Sequence, residues 1–149
     1  MDDWLFPDIG KDVSVDDDVF DPRPYQEEAD EAIFSSLQHS DKCGAYLATG
    51  TGKTEIAALL LQRDWGGGSL LITPRRELVT QSAERLRKRG VPCGVEMAEM
   101  RSDDPVTVAC YASLMSKERY KRFLKTTKFI IVDESHMNFS TAALDMLAE

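Results

Sequence analysis

The chain has 149 residues, 42% of them apolar and 30% charged, with a formal net charge of −8. That length holds one modest core. No apolar run approaches the roughly 18 residues of a membrane span, and the start MDDWLFPDIGKD lacks the basic-then-apolar pattern of a signal peptide. Cys43, Cys93 and Cys110 fit neither a disulfide framework nor a zinc spacing, so they read as free thiols in a reducing, cytoplasmic setting. The acidity is local. Residues 1–31 hold twelve acids and two bases, whereas residues 32–149 hold fourteen acids and sixteen bases. The overall charge therefore does not exclude an anionic partner for the body of the chain.

In chain order, residues 1–22 form an Asp-rich acidic N-terminal arm, with Trp4, Leu5, Phe6 and Phe20 as possible docking points. RPYQEEADEAIFSSLQ predicts a helix: Pro24 suits its first turn, and Ala29, Ile33 and Leu37 recur at helical spacing. GAYLA (44–48) predicts a short buried strand. KTEIAALLLQRDW (53–65) predicts a helix that the glycines at 66–68 stop. SLLIT (69–73) is a second strand, and Pro74 opens a basic helix that Gly90 ends. CGVEMA (93–98) and VTVAC (106–110) are short strands, YASLMSKERYKRFL is helical, and KFIIVD (128–133) is the most apolar strand. STAALDMLAE begins a last helix. Apolar strands alternating with helices predict a parallel sheet covered on both sides.

Two stretches carry chemistry. ATGTGKT (48–54) sits between a predicted strand and a predicted helix. Gly50 and Gly52 allow backbone amides, with that of Thr51 between them, to approach an anion closely. The helix start adds its own amides and partial positive charge. Lys53 can reach the β and γ phosphates of a nucleotide, and the Thr54 hydroxyl can ligate Mg²⁺. The strict phosphate-loop pattern asks for glycine at position 47, where this chain has Leu47. FIIVDESH then ends an apolar strand in two acids. Ligands of parallel sheets gather at the carboxyl ends of strands. Asp133 is expected to hold Mg²⁺ through its water shell, and Glu134 to act as general base on the attacking water. His136 stands close enough in sequence to sense the nucleotide.

Together these residues resemble the superfamily 2 helicases of the DEAD/DEAH-box group. ATGTGKT resembles motif I, and DESH resembles motif II with Ser135 where Ala or Cys is commoner. RPYQ (23–26) resembles the adenine-side motif, which implies that Gln26 reads adenine with Tyr25 or Arg23 packed nearby. TPRRELVTQ (73–81) resembles motif Ia, which implies nucleic-acid backbone contacts by Thr73, Arg75 and Arg76. VACYASLMS (108–116) sits where motif Ic falls. The flavour is that of the branch with type I and type III restriction motor subunits and phage helicases such as UvsW, and it covers the chain from about Arg23 onward.

The resemblance implies a three-layer, RecA-like P-loop domain over residues 23–149. It is expected to be incomplete, because no segment carrying motif III follows DESH. It implies ATP and Mg²⁺ as cofactors and nucleic acid, DNA rather than RNA, as partner. A second RecA-like domain, in cis or in trans, would complete the ATP site. Catalysis would fall to Lys53, Asp133 and Glu134, and nucleotide binding also to Arg23, Tyr25, Gln26, Gly50, Thr51, Gly52, Thr54 and His136. Two alternatives stay open: a nucleotide- or nucleic-acid-binding module without productive hydrolysis that acts through a partner, and a P-loop ATPase outside the helicases. The basic runs at 85–89 and 117–128 read chiefly as solvated faces.

Overall fold

The computed structural model describes residues 21–45, 47 and 52–133. The arm up to Phe20 and the helix expected from Ser140 lie outside the described residues. The chain falls into two compact units, one of Met1–Asp64 with Ser82–Cys93 and one of Trp65–Gln81 with Gly94–Glu149.

In the first unit, α1 (Pro24–Leu37) packs on α2 (Lys53–Leu61). Pro24 occupies the opening turn, where a missing N–H costs nothing, and the Gln26 side-chain oxygen accepts the Arg23 amide at 2.9 Å. Arg63 locks the pair. Its guanidinium donates to Asp30 at 3.2 and 2.7 Å and to Glu31 at 2.9 Å, and lies 4.0 Å above the Phe34 ring. The bond to Asp30 is the main cause of a pKa raised above the usual arginine value. The helix expected to run to Trp65 ends at Leu61 instead, four residues before it. Arg63 is drawn to α1, and Gly66 adopts a left-handed φ of 80°. Gly44, Ala45 and Leu47 show no strand, contrary to the expectation for GAYLA; Tyr46 and Ala48 lie outside the described residues.

The second unit is built on a four-stranded, all-parallel sheet in the order β2-β3-β1-β4. Its strands are β1 (Gly68–Thr73), β2 (Gly94–Glu96), β3 (Val106–Cys110) and β4 (Thr127–Val132). Leu70, Ile72, Ala109, Leu114 and Phe123 form its core, and Trp65 stacks on Phe129 with ring centroids 3.9 Å apart. The helix α3 (Arg76–Lys88) buries Val79, Ala83 and Leu86 at helical spacing. It ends as expected at Gly90 (φ 81°): the Gly90 and Val91 amides fold back onto the carbonyls of Arg87 and Leu86. The helix expected over 111–124 divides into α4 (Tyr111–Leu114) and α5 (Lys117–Thr126), because Ser116 takes an extended backbone and restarts the chain.

Candidate nucleotide site

Gly52 begins the site. Its φ of 73° and ψ of 53° are left-handed, a conformation that strains any residue with a Cβ. A Cβ there would also strike the Gln26 side-chain amide and come within 3.0 Å of Glu55 Oε2. The left-handed backbone at position 52 therefore favours glycine, and the ends of the Gln26 and Glu55 side chains close in beside it. The chain turns at Gly52 straight into α2, whose first residues are Lys53 and Thr54. The opening turn of a helix leaves N–H groups without helical acceptors, and these point toward the space ahead of it.

A cavity of about 220 Å³ lies by the starts of α1 and α2, lined by Asp21, Arg23, Tyr25, Gln26, Gly52, Glu55 and Arg89. Gln26 is buried at its floor, while Tyr25 is exposed and its hydroxyl accepts from Arg23 at 3.4 Å. Three residues separated from the phosphate loop by more than twenty positions are thus brought against Gly52. Lys53 is exposed and Thr54 half-buried. Gly50, Thr51, Glu134 and His136 lie outside the described residues.

The second unit holds Asp133, Thr73, Arg75 and Arg76. Its sheet is parallel, so β1 and β4 end at one edge. The Asp133 amide extends the ladder by donating to the Ile72 carbonyl at 2.9 Å, which sets Asp133 beside the end of β1. Thr73 is fully buried, and its hydroxyl donates to the Arg75 carbonyl at 3.3 Å. It shapes the turn, while Arg75 and Arg76 are exposed at the opening of α3.

Sequence reasoning missed a cluster in this unit. Glu96 is completely buried and accepts the Ser102 amide at 2.7 Å. Three guanidinium groups surround it: Arg122 at 2.6 Å, Arg119 at 3.3 Å and Arg101 at 3.7 Å. Arg119, itself buried, also donates to the Ala98 carbonyl. Ala98 is the non-glycine residue with a positive φ (51°) among the described residues, in a tight turn closed by reciprocal Met97–Met100 hydrogen bonds. Its amide donates to the Ser113 hydroxyl at 3.2 Å. Of the bases read as a wet face in α5, Arg119 is therefore an interior counter-ion, and Arg122 pairs with Glu96 from a partly exposed position. In the first unit, Arg87 donates to the Cys93 carbonyl at 2.8 Å, and Arg89 pairs with Glu55 at 3.2 Å.

An all-parallel α/β sheet with these helices is the fold of a RecA-like helicase domain fragment. The family described as the type III restriction enzyme res subunit matches residues 19–146, and the chain belongs to it. The chain is also 27% identical over 139 residues to "Putative ATP-dependent helicase IRC3" of Saccharomyces cerevisiae. That alignment takes in 84% of this chain and 20% of the yeast protein, so the chain spans about a fifth of the length of the curated relative it matches. Its class is that of helicase-family ATP-binding motor domains. No described helix is long and apolar enough to cross a membrane.

Proposed function

We propose that this chain binds ATP with Mg²⁺ and forms part of a motor that couples ATP hydrolysis to movement along DNA. The observation that carries the reading is the close approach at Gly52, where a left-handed glycine seats the Gln26 amide against the start of the Lys53–Thr54 helix. Lys53 neutralises the β and γ phosphates, and Thr54 and Asp133 hold Mg²⁺. Gly50 and Thr51 supply phosphate-loop amides, Glu134 polarises the attacking water, and His136 senses the nucleotide. Gln26, with Arg23 and Tyr25, takes the adenine. A second RecA-like domain completes the site, as phosphoryl-transfer motors need charge stabilisation from across the cleft. Arg75 and Arg76 grip the nucleic-acid backbone from a turn that Thr73 holds, without reading sequence.

The test is equilibrium binding of a fluorescent ATP analogue with Mg²⁺, beside Lys53→Ala, with phosphate release followed with and without single-stranded DNA. Binding that the substitution lowers at least about tenfold, a loss of ~1.4 kcal/mol, supports the phosphate loop. DNA-stimulated release supports the motor. Equal binding by both proteins would overturn the assignment of Lys53.

A further inference from the structure

We infer that Arg89 is a nucleotide contact, its guanidinium covering one face of the adenine base; this rests on the nucleotide pocket proposed above. The cavity of about 220 Å³ is smaller than the roughly 300–1,000 Å³ of a pocket that encloses a whole ligand. It has room for part of a nucleotide. Gly52 and Lys53 mark the phosphate end, so the part remaining is the base end. Two residues with planar side-chain groups line the cavity and come from different elements: Tyr25 from α1 and Arg89 from beyond α3. A guanidinium stacks on aromatic faces as a flat cation, which an ammonium does not do.

Arg89 is mounted for this part. Its backbone carbonyl accepts from the Gln62 side chain at 3.3 Å, just past the end of α2. Its side chain reaches back to Glu55 in the first turn of the same helix. Gly90, turned left-handed, fixes the chain immediately after it. Arg89 thus spans α2 from end to start. Glu55 stands two residues after Lys53, where an uncompensated carboxylate would repel phosphates; Arg89 offsets that charge at 3.2 Å. Glu55 is the positioning residue of the pair, and its own side chain is mostly buried.

The experiment compares ATP with inorganic tripolyphosphate, each with Mg²⁺, on the full chain and on Arg89→Ala, Arg89→Lys, Glu55→Gln and Lys53→Ala. Far-UV circular dichroism checks that each variant folds. Arg89→Ala is expected to weaken ATP roughly three- to thirty-fold while tripolyphosphate changes by no more than about twofold. Arg89→Lys keeps the ion pair with Glu55 and loses the plane, so it shows the same split even where the alanine variant is too unstable to use. Glu55→Gln also weakens ATP more than tripolyphosphate. Equal loss of both ligands in the Arg89 variants would make Arg89 a phosphate contact and overturn the inference, as would no loss of either. Parent protein that binds both ligands equally overturns it while leaving the phosphate site standing. Parent protein that binds neither, or that Lys53→Ala leaves unchanged, overturns the pocket reading itself.

Discussion

The two outer strands of the sheet reverse what their sequences suggest. β2 carries a glutamate, yet all three of its residues are buried. β4 is TKFIIV, the most apolar strand, yet of its six residues Phe129 alone is buried, and Ile130 is 37% exposed. The inner strand β1, with a comparable apolar run, buries every residue after Gly68. Burial here follows how many neighbours a strand has and what caps its free edge, and composition ranks second. The β2 edge is finished by polar groups: Glu96 ion-paired with its arginines, although Glu96 Oε1 and Arg122 Nε and Nη2 are buried without a hydrogen-bond partner, and Ser102 hydrogen-bonded to Thr107 at 2.8 Å. Among the described residues nothing pairs with β4 on its outer side.

The largest test of this contrast is Glu96→Ala. Removing the carboxylate leaves Arg119, buried in place, without its counter-ion. Breaking one partner out of a buried ion cluster costs about 3–5 kcal/mol, because the remaining charge stays desolvated. Arg101 and Arg122 keep some solvent access and can turn outward, with side chains 51% and 36% exposed. Urea denaturation should place the loss in that range. A loss below about 1 kcal/mol would mean that the guanidinium groups reach water freely and that the cluster does not close the edge.

Gly94→Ala tests the same edge of the sheet with a smaller expected effect. A Cβ at Gly94 would collide with the Ser102 side chain and with Asp104. Ser102 cannot easily give way, since it is buried and its hydroxyl is held by Thr107. Overpacking of this kind costs about 1–3 kcal/mol. The backbone is not strained, so steric conflict is the whole effect. A thermal melt unchanged within about 1 °C would show that the loop after β2 moves aside and that this edge is less rigidly finished than the hydrogen bonds suggest.

These features mark where the sequence could be read and where it could not. Helix boundaries with a covalent cause were legible: Pro24 at the start of α1 and Gly90 at the end of α3 act through backbone geometry that no neighbour overrides. The parallel sheet was legible too, from apolar strands alternating with helices. The partners of Glu55, Glu96 and Arg63 were not, because ion pairs between distant elements leave no periodicity. One signal was available. Glu96 lies in CGVEMA, an otherwise apolar strand, and a carboxylate in such a strand demands a buried counter-charge. The nearby bases at 101, 119 and 122 were the candidates. For GAYLA the apolar run alone suggested a strand, but Gly44, Ala45 and Leu47 show none. A run of that length needs neighbours to become a strand, and neighbours are not written in it.

The smallest expected effect bears most directly on the open side of the sheet. Ile72→Ala, at a site with no exposure, should cost about 2–5 kcal/mol through lost contacts and a residual cavity. Ile130→Ala removes the same atoms from a strand one place over, where Ile130 pairs with Leu70 across the ladder. Its side chain is already partly in water, and solvent can fill the space it leaves, so the loss should be about 1 kcal/mol or less. Parallel urea melts of the two variants give the comparison directly. If the values differ as stated, the Ile130 face of β4 is open to solvent in solution, as it is among the described residues. If Ile130→Ala costs as much as Ile72→Ala, something covers that face in solution, and the contrast between the two sides of the sheet disappears. Because unpaired strand edges recruit other strands, the parent chain should then also show concentration-dependent association or protection of the β4 amides from exchange.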